Sequence, residues 1–103
     1  MQVETRIKEK LQHTFNPRFL FVENESHKHN VPENSETHFK VTLVTEGFEG
    51  KRLLQRHRAI NTALAEELAG PVHALALHTY TPTEWEDKNH QAPNSPNCLG
   101  GGR

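Results

Sequence analysis

Gly47-Phe48-Glu49-Gly50-Lys51-Arg52-Leu53-Leu54-Gln55-Arg56-His57-Arg58-Ala59-Ile60 is a glycine-punctuated turn running straight into an amphipathic segment. Leu53, His57, Ile60, Leu64 and Leu68 recur at steps of four, three, four and four, the single-face pattern of an α-helix. Lys51, Arg52, Arg56 and Arg58 crowd its first turns, where cations oppose the positive end of the helix dipole. That arrangement has two readings: the solvated basic edge of a core helix, or a binding surface. Gly70-Pro71 stops the helix after Leu68-Ala69. On its N-terminal side, His38 to Val44 alternates, with Phe39, Val41 and Leu43 on one side and Lys40, Thr42 and Val44 on the other, a half-buried strand. On its C-terminal side Val72 to Tyr80 reads as another strand, with His73, Leu75, Leu77 and Thr79 sharing one face. Strand, helix, strand is a βαβ unit, so these two strands are expected to be parallel with a right-handed crossover.

Upstream, Val3, Ile7, Leu11 and Phe15 recur every four residues among charged neighbours. This predicts a first helix, closed near Asn16-Pro17 because the residue before proline leaves the helical region. Phe19-Leu20-Phe21-Val22 suits a first strand, and the link to the second allows an antiparallel pair. From Glu23 to Glu36 the chain is polar and holds His27, His29 and Pro32, a loop long enough to be functional. Downstream, Thr81-Pro82-Thr83-Glu84-Trp85 signals a helix start: Thr81 as cap, Pro82 at the first helical position, Glu84 three residues past the cap. After Asp87 the composition turns to Asn, Pro, Ser and Gly, so 87–103 is expected to be a disordered tail to a domain of residues 1–86. The expected fold is α+β, in the order α-β-β-α-β-α, with a three-stranded mixed sheet and helices packed on one face.

With 103 residues the chain has room for one small core. A formal net charge of −1 confines any nucleic-acid surface to a local patch. The single cysteine, Cys98, allows neither an internal disulfide nor an all-cysteine metal site. No apolar run approaches the roughly 20 residues of a membrane span, and the N-terminus lacks a secretory pattern, so a soluble cytoplasmic protein is expected. No nucleophile elbow or phosphate-binding loop is present, and the adjacent Glu66 and Glu67 must point to different sides of a helix. The expectation is a non-enzymatic protein.

His29-Asn30-Val31-Pro32, Ser35-Glu36-Thr37-His38-Phe39-Lys40-Val41, Phe48-Glu49-Gly50, Arg56-His57-Arg58, Leu64-Ala65-Glu66-Glu67-Leu68, Val72-His73-Ala74-Leu75 and Thr79-Tyr80-Thr81-Pro82-Thr83-Glu84-Trp85 together resemble the BolA family. Within it they are most similar to bacterial members that carry histidine in the loop where some relatives carry cysteine. The resemblance spans roughly residues 3 to 86. It implies a KH-like domain of the second type and a regulator with two roles. One is pairing with a monothiol glutaredoxin around a [2Fe–2S] cluster, completed by the glutaredoxin's cysteine and by glutathione, with no cofactor in the isolated protein. The other is DNA binding in stress-linked transcription regulation of growth and morphology. A homodimer is a further candidate assembly.

Imidazole nitrogen is a competent iron ligand. His73 follows Gly70-Pro71 at the mouth of the third strand, where a side chain can reach beyond the sheet. The resemblance makes it the C-terminal cluster ligand, with His29 as the second. His27 and His38 are competitors for the His29 role, and Cys98 is an unfavoured one. His57, on the apolar helix face, reads as structural, and His13, His78 and His90 as surface or structural.

For nucleic acid, Gly47-Phe48-Glu49-Gly50 has the Gly-x-x-Gly spelling with which KH domains clamp a backbone. It precedes a helix whose start offers amides to phosphate. Lys51, Arg52, Arg56 and Arg58 supply three or four phosphate contacts at most, which makes binding weak and salt-dependent. Glu49 opposes a phosphate there, and no aromatic is interleaved with the cations as a stacking platform. The same basic helix start also suits docking of a glutaredoxin or of glutathione carboxylates.

Overall fold

The apolar stripe of Val3, Ile7, Leu11 and Phe15 forms as a helix in the computed structural model, which describes residues 2–28 and 35–89. Helix α1 runs Gln2–Phe15, with Ile7 and Leu11 fully buried and Val3 and Phe15 packed against the core. Asn16 closes it in a left-handed conformation (φ 45°), which asparagine tolerates better than most residues. Strand β1 (Phe19–Asn24) then pairs antiparallel with β2 (His38–Val44), Phe21 lying opposite Thr42. After a single helical turn at Glu46–Phe48 come α2 (Leu53–Ala63) and α3 (Ala65–Ala69). Strand β3 (Ala74–Tyr80) returns parallel to β2, and α4 (Pro82–Asp87) ends the described chain. The sheet order is β1-β2-β3, so the expected mixed sheet and element order are both present.

Three expectations change. The half-buried strand is buried on both faces after His38: Phe39 to Val44 are all buried, because β2 is the middle strand and neighbours cover its second face. The single long helix is two helices, broken at Leu64 (φ −107°, ψ 24°). Asn61 and Thr62, both poor helix formers, precede the break. Leu53, placed on the apolar face by its spacing, is 60% exposed, while Arg56 is 6% exposed. The face that packs is Arg56, Ile60 and Leu64, followed by Glu67. Arg56 and Ile60 also stand four apart, and periodicity alone cannot choose between that row and the Leu53 row when the deciding residue is a charge with an interior partner.

Helices α1 to α3 lie over one face of the sheet, on Val22, Phe39, Val41 and Leu43. On the other face Val44, Tyr80 and Trp85 form a smaller cluster, with Phe19 stacked on Trp85 at 5.1 Å. Trp85 reaches it because α4 starts as its sequence demands: Thr81 Oγ1 accepts the Glu84 N–H, Glu84 accepts the Thr81 N–H, and Pro82 opens the helix.

The Gly-x-x-Gly turn carries unequal glycines. Gly50 has φ +78°, a left-handed conformation that strains any side chain. A Cβ on Gly47 would meet nothing closer than Thr45 Oγ1 at 3.5 Å, an ordinary contact. Gly50→Ala is therefore expected to lower stability by about 1 kcal/mol, and Gly47→Ala to leave it within roughly 0.5 kcal/mol, as read by urea unfolding midpoints.

Candidate functional site

The parallel ladder fixes what lies at the start of β3. His38 is registered with Ala74, and the Thr37 carbonyl accepts both the His73 N–H (2.8 Å) and the Ala74 N–H (3.2 Å). His73 is thereby pinned by its backbone with its side chain exposed. Its ring centroid lies 6.1 Å from that of His38, edge-on at 75°. The Nδ1 of His38 is hydrogen-bonded to Thr37 Oγ1 at 2.8 Å. His27 is exposed in the short turn Ser26–Lys28. His29 lies outside the described residues, as do His90, Cys98 and the stretch 90–103 expected to be a tail. Among the described residues no group of three or more His, Cys, Asp or Glu can hold a metal ion.

The base of the histidine loop is a polar knot that sequence reading missed. Ser26 is 3% exposed, and its hydroxyl accepts the N–H groups of Thr37 (3.0 Å) and His38 (3.1 Å). The Asn24 side chain accepts the Ser26 N–H and donates to the Ser35 carbonyl. Only the Asn-x-Ser spelling, common in turns, hinted at it.

The basic residues gather at the other end of β3. Six steps of strand rise separate Ala74 from Tyr80, roughly 20 Å. An open cleft of about 630 Å³ lies there, lined by Lys51, Arg52, Leu53, Arg56 and His57 from the start of α2, by Leu77 to Tyr80, and by Glu84 and Lys88. Lys51, Arg52 and Arg58 present their side chains to solvent, with Leu53 and Leu54 exposed beside them. Arg56 lines the cleft too, but it is only 6% exposed and its guanidinium is spent on interior partners. Its guanidinium stacks over the Phe48 ring at 5.6 Å, grips Glu84 in two bonds (2.7 and 3.1 Å), and donates to the carbonyls of Lys51 (2.9 Å) and Thr79 (3.3 Å). The reason is that an arginine enters an interior only where carbonyls and a carboxylate meet its fork, and Glu84 supplies the carboxylate from α4. The clue in the sequence was Glu84 itself, which had been assigned only to the helix cap.

Gly47 and Gly50 flank the turn between β2 and α2, whereas the helix–helix junction falls at Leu64. Gly47 and Gly50 therefore do not bridge two helices. His57 is half-buried on α2, consistent with a structural role. His78 lies at the cleft with its Nε2 buried and without a partner. Burial, with Lys40 next, holds its imidazole below the ordinary value, so it is neutral at pH 7. Glu66 and Glu67 do diverge, one exposed and one buried, yet both reach Lys10, an arrangement of structure and not of acid–base chemistry.

The domain thus runs α-β-β-α-α-β-α, with an exposed histidine at one end of an edge strand and a cleft lined by cations at the other. Residues 11–84 match the family described as BolA-like protein, and the chain belongs to the BolA family. It is 55% identical over 102 residues to the DNA-binding transcriptional regulator BolA of Escherichia coli, covering 99% of this chain and 97% of that protein. It is 54% identical over 101 residues to the protein of the same name from Vibrio cholerae, covering 98% and 95%. Among solved structures it is similar to BolA1 of Mus musculus, with a TM-score of 0.83 and 51% identity over 97% of this chain and 80% of that one.

The Arg56–Glu84 pair sets a stability prediction. Arg56→Ala leaves Phe48 uncovered and two carbonyls without their donor, so it is expected to cost roughly 2–4 kcal/mol. The hydrogen bond from Arg56 holds the Glu84 carboxyl below its usual range. Stability from that shift is present above the ordinary carboxylate value and is lost as pH falls through the lowered one. Urea unfolding across pH 2–6 should show an acid-side decline that is shallower in Glu84→Gln.

Proposed function

We propose that this protein is a non-enzymatic regulator that joins a monothiol glutaredoxin through its histidine end and shares a [2Fe–2S] cluster with it in iron–sulfur homeostasis. The observation that carries the reading is His73: an exposed imidazole whose backbone is fixed to Thr37 and whose ring stands 6.1 Å from a second imidazole, His38. His73, with His29 of the adjoining loop, supplies nitrogen ligands, and the glutaredoxin cysteine and glutathione supply thiolates. Bound there, the cluster provides a redox-active, labile centre that ties the two proteins together. This chain's part is to present the imidazoles and keep their rings oriented; no catalytic step is assigned to it. Among the described residues no helix is long and apolar enough to cross a membrane; the setting proposed is the cytoplasm. A homodimer would form by the same surface in the absence of the partner.

A second reading, DNA binding in transcription regulation of stress response and morphology, rests on a separate observation. Relatives 54% and 55% identical carry the name DNA-binding transcriptional regulator, and Lys51, Arg52 and Arg58 are each exposed, the first two lining the cleft. With Arg56 engaged inside, three cations remain for phosphate contact. The two surfaces lie at opposite ends of β3, so one chain can carry both roles.

The cluster reading is tested by reconstituting the protein with a monothiol glutaredoxin, glutathione, iron and sulfide. The mixed complex is expected to show visible absorption and circular dichroism distinct from glutaredoxin alone, altered by His73→Ala and by His29→Ala with the fold unchanged. A spectrum identical to glutaredoxin alone removes the reading. For DNA, three phosphate contacts give a slope of log K against log salt of about −2.7. Lys51→Ala, Arg52→Ala and Arg58→Ala should each flatten it by about 0.9, and His73→Ala should leave it unchanged.

A further inference from the structure

Ser26 is a buried serine whose hydroxyl does more than any other side chain to close the ends of the histidine loop. It accepts two backbone N–H groups, those of Thr37 and His38, and lies 3.4 Å from Thr37 Oγ1. Thr37 in turn works on both histidines. Its hydroxyl meets His38 Nδ1 at 2.8 Å, and its carbonyl takes the His73 and Ala74 N–H groups. Asn24 ties in the other side of the loop by holding the Ser35 carbonyl at 2.9 Å. One continuous set of bonds therefore runs from the loop base, through Ser26 and Thr37, to the ring of His38 and the backbone of His73.

We infer that Ser26 and Thr37 are positioning residues for the histidine site. They fix the orientation of the His38 ring and the seat of His73 relative to the ends of the loop that carries His29. The inference rests on the shared-cluster reading above for its consequence, but not for its geometry. A hydroxyl that sets ring orientation and backbone placement acts as the outer partners of metal-ligating histidines do. Losing Ser26 Oγ leaves two strand-end amides without their acceptor, and buried amides in that position loosen locally. Thr37→Val removes the hydroxyl at constant shape and keeps the carbonyl, so it deletes the bonds to His38 Nδ1 and Ser26 Oγ and leaves the acceptor of the His73 N–H in place. Thr37→Ser keeps the hydroxyl and should restore the wild-type state.

The test uses the full chain, first alone and then with a monothiol glutaredoxin, glutathione, iron and sulfide. In the isolated protein, Ser26→Ala is expected to raise amide hydrogen exchange at His73 and Ala74 by about tenfold or more. Exchange in the β2 centre, at Val41 and Leu43, should stay unchanged. Thr37→Val is expected to shift the ring resonances of His38, and Thr37→Ser to match wild type. In the mixed complex both Ser26→Ala and Thr37→Val should change the visible circular dichroism, while the unfolding midpoint of isolated Thr37→Val stays closer to wild type than that of Ser26→Ala, which loses two amide bonds. Unaltered His73 and Ala74 exchange together with unaltered His38 ring resonances overturns the inference, whatever the cluster does. If wild type forms no mixed complex, the shared-cluster reading fails and the exchange and ring data still decide whether Ser26 and Thr37 hold the histidines. If Ser26→Ala does not fold, Thr37→Val against Thr37→Ser decides: ring resonances and dichroism that move in the first and return in the second support positioning, and identical behaviour of the two contradicts it.

Discussion

Everything in this structure hangs on β2 being hydrogen-bonded along both edges. The antiparallel ladder to β1 and the parallel ladder to β3 share six of its seven residues, Phe39 to Val44, so a single register sets where all three strands begin and end. Because the second ladder is parallel, β2 and β3 start side by side. The end of the polar loop therefore meets the end of the Gly70-Pro71 turn, and Thr37 comes to hold the backbone of His73. At the far end the same register leaves Tyr80 beside Val44, where Trp85 and Phe19 cover them. A one-residue slip would turn Phe39, Val41 and Leu43 away from the helices, and the burial of all three holds that register firmly.

Two interior charges lock the helix layer to this frame. Arg56 joins α2 to α4 through Glu84 and to β3 through the Thr79 carbonyl. Glu67, almost fully buried on α3, is met by Lys10 and, less closely, by Arg6 of α1. Removing one partner of such a pair strands the other without its counter-charge, which costs far more than the intact pair contributes. The pairs act chiefly as constraints on geometry: each specifies which helix face turns inward, where apolar periodicity alone leaves two rows in competition.

Local signals in the sequence were strong where one residue type had one physical use. The stripe of α1, the stop at Asn16-Pro17, the box of Thr81 and Glu84 and the alternation of β2 each point to one local structure, and the β-α-β spacing dictates the parallel pair. Legibility failed where a residue's role depends on a distant partner. Arg56 looks like part of a basic surface until Glu84 is seen beside it. Leu53 looks like core until Arg56 takes the inward position. Ser26 and Thr37 carry no signal of their own, because their partners lie across a loop and on another strand. Of the candidate site, the exposure of His73 and its nearness to His38 followed from strand order, and so did the clustering of Lys51 and Arg52 at the opposite end. His29 lies outside the described residues, so its place in the site rests on the family resemblance alone.

The central claim is that His73 supplies a nitrogen ligand from this chain to a cluster held jointly with a monothiol glutaredoxin. It is tested most directly by pulsed electron paramagnetic resonance on the reduced mixed complex, prepared with this chain alone labelled with ¹⁵N-histidine. The account predicts strong ¹⁵N hyperfine coupling to the cluster that is reduced or abolished in His73→Ala and persists in His57→Ala. A reduced cluster with no ¹⁵N coupling from this chain, or a coupling indifferent to His73→Ala, would contradict it.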